Sequence, residues 1–220
     1  MTHTFIPIVT PIMTRIVNIE NMTPTVVLSV LTIILFIGIS VLIGWTLSNA
    51  MSSKGIKTNN ATIMSISGVV SILLLTRYGL TSTALQGLFL LFVLIYASCS
   101  DITTHTVDDA LWLLVFALSI TSLKSVGVDS MLLGAFCVFI PQIAMALFPP
   151  HKTLGGADIK LSTALAFLLG GWRSIASYLI GLVLAVIVMS IYNKCTNRCK
   201  KNPFALVPFL SIGAMLMFLI

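Results

Sequence analysis

A chain of 220 residues that is 58% hydrophobic and only 8% charged is not an ordinary soluble domain, in which about a quarter of the residues carry charge. It is a polytopic membrane protein, long enough for one helical domain and too short for an added soluble catalytic module. The net charge of +6 does not point to nucleic acid, because the basic residues lie in short loops between apolar runs, where they act as topology signals.

Residues 1–24 form an N-terminal segment that could lie along the membrane surface. Pro7 and Pro11 interrupt it, and no small-residue cleavage site follows a basic start, so it does not read as a signal peptide. Residues 25–220 form the membrane domain. A spanning helix needs about 20 apolar residues, which places spans at 25–48, 61–79, 83–100, 110–127, 130–148, 159–172, 174–192 and 204–220. The expected fold is therefore an all-α membrane bundle of about eight segments, with six to eight admissible. The fourth and sixth spans have the shortest clean apolar cores. Gly170-Gly171 followed by Arg173 marks a turn between the sixth and seventh.

Eight spans sort the loops into two sides. Lys54, Lys57, Lys152, Lys160, Lys194, Arg198, Lys200 and Lys201 fall on one, against Arg15, Arg77, Lys124 and Arg173 on the other. The richer side is expected in the cytoplasm, with both termini outside. Cys99 and Cys137 lie in apolar runs as small hydrophobes. Cys195 and Cys199 share one basic loop without the second pair that a zinc site needs.

Within this apolar chain, Leu154–Lys160 sets an ionisable Asp158 between a glycine pair, Gly155 and Gly156, and an apolar helix. Charge at such depth is expensive and is usually paired or functional. Asp101, at the end of the third span, is the candidate partner, because two crossings separate the two residues and return the chain to the same face. Two carboxylates held close share one proton, since like charges in a low dielectric push one pKa up. One member can then take a proton from water while the other gives one to a carbonyl oxygen. The glycines would let an extended substrate approach the backbone.

Simpler roles exist for each acid. Asp158 could be the N-cap of its helix, and Asp108 or Asp109 the N-cap of the fourth span. Asp101 could be a loop acid, and His105 a solvated loop residue. Ser100, Asp101 and His105 are close neighbours in sequence but lack the nucleophile elbow of a serine hydrolase.

Four segments taken in order resemble the type IV prepilin peptidase family of membrane aspartic peptidases. Asp101-Ile-Thr-Thr-His-Thr-Val-Asp-Asp-Ala-Leu is similar to its first motif, and Gly155-Gly156-Ala157-Asp158-Ile159-Lys160-Leu161 to its Gly-x-Gly-Asp-x-Lys-Leu motif. Leu169-Gly170-Gly171-Trp172 is similar to the Gly-Trp that follows, and Lys201–Leu210 to a late Pro-Phe segment. The resemblance covers about residues 90–220. It implies that Asp101 and Asp158 are the catalytic pair, supported by the motif residues Gly155, Gly156, Ala157 and Lys160, with no cofactor and no metal. Ala157 stands where the motif has its second glycine, and Asp108 where the family usually has Pro.

The resemblance further implies a prepilin-like substrate, with a short basic leader before a hydrophobic helix, cut at the cytoplasmic face of the inner membrane. Asp108 and Asp109 are candidate leader contacts. The cysteine-free 49–60 loop lacks the paired Cys-x-x-Cys motifs of large members that also methylate the new N-terminus. This points to the short, peptidase-only form found with tight-adherence (Flp) pili. Two other readings of the same acids are a presenilin-like intramembrane protease and a small proton-coupled transporter. The lipid bilayer is the other expected partner, nucleic acid is not one, and the sequence leaves the oligomeric state open.

Overall fold

The structure is a computed structural model that describes residues 24–56, 58–147, 155–196 and 204–220. Residues 1–23, Lys57, Lys152, Arg198, Cys199 and Lys200–Pro203 lie outside it, and so do the readings made on them. The described residues form helices joined by turns, with no strand among them. In chain order these are α1 (Pro24–Ser53), α2 (Asn60–Tyr78), α3 (Ser82–Thr104), α4 (Asp109–Thr121), α5 (Leu123–Val126), α6 (Val128–Leu147), α7 (Gly156–Leu169), α8 (Gly171–Thr196) and α9 (Val207–Leu219). The fold is an all-α polytopic bundle, as composition requires.

Five stretches, Val26–Ser53, Asn60–Tyr78, Ser82–Thr104, Val128–Leu147 and Gly171–Tyr192, are long and apolar enough to cross a membrane. The remaining three expected spans correspond to shorter helices. At 13 or 14 residues, α4, α7 and α9 are about 20 Å long, against roughly 30 Å of hydrocarbon. Apolar segments of this length suit an interior better than lipid. In α7, Ile159, Leu161, Ala164, Leu165, Ala166, Leu168 and Leu169 are all buried, so neighbouring helices enclose it. α1, by contrast, exposes most of its apolar side chains, as a lipid-facing helix does.

The fourth expected span is not continuous: the helix breaks at Ser122. Its N–H bonds to Ser119 O, three residues back, rather than to Leu118 O. Gln86 Nε2 of α3 donates to that released carbonyl (3.0 Å) and to Ser122 Oγ. A side chain from another helix thus satisfies the backbone group that the break leaves over. The turn after α7 falls at Gly170, as expected, with φ 69°. A Cβ at Gly170 would collide with Val126 Cγ1.

The chain alternates between two ends of the bundle. At one end the α1–α2 loop, the α3–α4 loop and the starts of α7 and α9 come together. Contacts of Lys54 with Tyr96, Tyr96 with Asp108, Lys160 with Asp109 and Val207 with Asp101 tie them. At the other end Arg77 donates to the carbonyls of Leu219 and Ile220 (3.1 and 2.8 Å), and Tyr78 Oη donates to Phe218 O. Two lysines of the richer charge class, Lys54 and Lys160, lie in elements that meet at the first end.

α9 lies antiparallel to α3, with Ser98 Oγ 3.0 Å from Ser211 Oγ, and packs closely on α8. A Cβ at Gly213 would enter the Ser177 carbonyl oxygen, a backbone atom with little freedom to move. Gly213→Ala should therefore destabilise the bundle by about 1–3 kcal/mol, the usual cost of overpacking. A thermal unfolding midpoint in detergent several degrees below the parent would show it.

Candidate functional site

Asp101 sits in the last turn of α3, one turn deeper than an acid placed beyond the span would be, and is only 6% exposed. This agrees with its place at the end of the third span and sets aside the alternative of a loop acid. α3 then ends at His105, which takes the left-handed conformation (φ 51°) and donates its N–H to Asp101 O. Among the described non-glycine residues His105 alone has positive φ, a conformation that costs energy and needs its surroundings to hold it. Ser100 Oγ donates to Thr106 O at 2.9 Å, fixing the chain on the far side of that turn. His105 is exposed, as expected, but lines the same cleft as the aspartates.

The buried carboxylate of Asp101 accepts a hydrogen bond from the Val207 backbone N–H, at 2.9 Å to Oδ2. Val207 is the first residue of α9, whose N-cap is Leu206. The first N–H groups of a helix have no partner within it and carry the positive end of the helix dipole. Pro208, in the second position, supplies no N–H. The start of α9 therefore directs its free donor at Asp101.

Asp158 lies in the first turn of α7 and is partly buried. It is not the N-cap: Gly155 holds that place, and the Asp158 carboxylate accepts a backbone hydrogen bond from Gly155. The acid three residues into the helix reaches back to the cap, as in half of a capping box. Burial, and then the charge of Asp101, raise the Asp158 pKa to about 6, against the Gly155 bond that lowers it. The two carboxylates thus sense each other's charge.

Both line one cleft of about 720 Å³, with His105–Asp109, Gly155–Ala157, Lys160 and Phe204 also in its walls. The eight residues singled out from sequence therefore come together. Gly155 and Gly156 are exposed, and nothing lies within 4 Å of where a Cβ on Gly156 would stand, so this wall is open to an extended chain. Asp108 occupies the N-cap position of α4, but its side chain makes no capping bond. It accepts instead from Tyr96 Oη at 3.2 Å, and Lys54 Nζ lies 5.5 Å from the centre of the Tyr96 ring. Asp109, in the first turn of α4, pairs with Lys160 at 2.8 Å.

Three contributors could not be picked out as site residues from their side-chain types. The Val207 N–H is a backbone group; its one signal is Pro208, a residue suited to a helix start. Phe204 forms an apolar wall and stacks on Phe209, with ring centres 5.6 Å apart. Tyr96 reaches the rim from the middle of an apolar run.

Residues 88–192, which carry both aspartates, match the type IV leader peptidase family. That stretch of the chain is similar to the family. The match supports a leader peptidase of the prepilin type, and the long apolar helices support a membrane setting. Comparisons with curated proteins and with solved structures found no match.

Val207→Pro removes the α9 donor, because proline lacks the N–H, at the added cost of a buried side chain and a proline after Leu206. Hydrogen bonds to charged groups are worth about 1.5–3 kcal/mol. Leader cleavage by this variant should fall roughly ten- to a hundredfold while its melting temperature stays within a few degrees of the parent. Unchanged cleavage would show that the Val207 bond is idle.

Proposed function

We propose that the chain removes the short basic leader of a type IV prepilin-like protein, of the Flp type, at the cytoplasmic face of the inner membrane. Asp101 and Asp158 form the catalytic pair. The observation that carries this reading is that both carboxylates face one open cleft and sense each other's charge. Asp101 Oδ2 accepts the Val207 N–H, a bond that favours the ionised form of Asp101 within the pair. Asp158 keeps its proton up to about pH 6. In the resting pair Asp101 takes a proton from a water lodged between the carboxylates as that water attacks the scissile carbonyl. Asp158 gives its proton to the carbonyl oxygen. The tetrahedral diol then collapses as Asp101 returns a proton to the leaving nitrogen and Asp158 recovers its own.

The open wall at Gly155 and Gly156 suits an extended leader. Phe204 offers an apolar surface to the hydrophobic residues that follow the cut. Asp108, bonded to a neutral hydroxyl, faces the basic leader more freely than the paired Asp109. Lys54 and Lys160 at the cleft end support the cytoplasmic side. The short α1–α2 loop, which has no cysteine, supports a peptidase without methyltransferase activity.

Asp101→Asn and Asp158→Asn should each abolish cleavage of a prepilin-like substrate in membranes while leaving the protein folded and inserted. Asp108→Asn should cost a few-fold at most. In the parent, kcat/KM should fall as pH rises past about 6, because the proton that Asp158 must donate is then lost. Cleavage near the parent rate by either Asn variant of the pair would refute the assignment.

A further inference from the structure

Lys160 and Asp109 join the two arms of the cleft. Asp109 opens α4, directly after the turn that leaves the Asp101 end of α3, while Lys160 lies two residues past Asp158 in α7. Their side chains meet at 2.8 Å although both remain accessible, with 49% and 68% of their surfaces exposed. Exposed pairs of this kind add little to stability, so an effect on folding is a poor reason for the contact. Its location gives a better one. The two carboxylates reach the cleft on separate helices, α3 and α7, and the backbone bond from Val207 fixes only Asp101. The Gly155 bond to Asp158 is local to α7 and moves with that helix. Near the mouth, among the described residues, the Lys160–Asp109 pair is the ion pair that links α7 to α4, beside the buried packing of α7 on α4 and α6.

We propose that Lys160 and Asp109 act as one positioning pair that sets the separation of Asp158 from Asp101. This rests on the reading of those two aspartates as the peptidase pair. Neither Lys160 nor Asp109 touches the reacting atoms; they act through the placement of Asp158. The dependence is steep, because a shift of about 1 Å in a reacting group can cost a hundredfold in rate.

The test is a double-mutant cycle with Asp109→Ala, Lys160→Met and the double variant, each assayed for kcat, KM and the pH profile of cleavage. Each single variant should lower kcat by about ten- to a hundredfold, leave KM within about twofold, and move the high-pH limb by the same amount. The double variant should be no worse than either single one. Lys160→Arg and Asp109→Asn keep a donor and an acceptor, so they should retain most of the activity. They also carry the test if Asp109→Ala does not fold. Additive losses in the double variant would overturn the proposal, and so would an unchanged kcat and pH limb. A rise in KM alone would overturn it too, marking the residues as substrate contacts. Asp101→Asn and Asp158→Asn run beside them: if those variants still cleave, it is the catalytic reading that has failed.

Discussion

Two carboxylates that line one cleft of a largely apolar protein and sense each other's charge repel, and the rest of the structure accommodates that repulsion. A buried pair of negative charges is unstable in a low dielectric unless a proton is shared or donors are supplied. The protein does both. The free N–H at the start of α9 meets Asp101, and Asp158 is left in surroundings that retain its proton. The asymmetry comes from helix ends, which put backbone donors where a membrane interior offers few side-chain ones.

The bundle is arranged so that those ends coincide. α7 and α9 are too short to face lipid along their whole length, and each begins at the cleft. α3 ends there. The longer helices α1, α2, α6 and α8 present much of their apolar surface outward, while α7 packs among α4, α6 and α8, and α9 against α3 and α8. The N-terminal region also reaches the site, through Lys54, Tyr96 and Asp108. The open cleft therefore lies at one end of an apolar interior.

Much of this was legible in the sequence. Apolar run length and breakers located the helices, because lipid leaves little choice of secondary structure. Counting crossings put Asp101 and Asp158 at one end. Other features depend on partners that sequence does not display. The break at Ser122 relies on Gln86, 32 residues from the Leu118 carbonyl it satisfies. Asp101 lies within α3, not beyond it, because the Val207 N–H meets its carboxylate inside the protein. Asp108 and Asp158 look like caps by residue type, yet Tyr96 engages the first and Gly155 caps the helix of the second. Side-chain pattern reports burial well and reports backbone donors poorly.

The central claim is that Asp101 and Asp158 titrate as a coupled pair, and carboxyl ¹³C NMR of protein labelled at aspartate measures this directly. The chain has only six acidic residues in all, so the signals are few and can be assigned by substitution. Asp158 should titrate near 6, and Asp101→Asn should lower that value by removing the neighbouring charge, with burial still holding it above an ordinary aspartate. An Asp158 that titrates at about 4 and does not respond to Asp101→Asn would contradict the account.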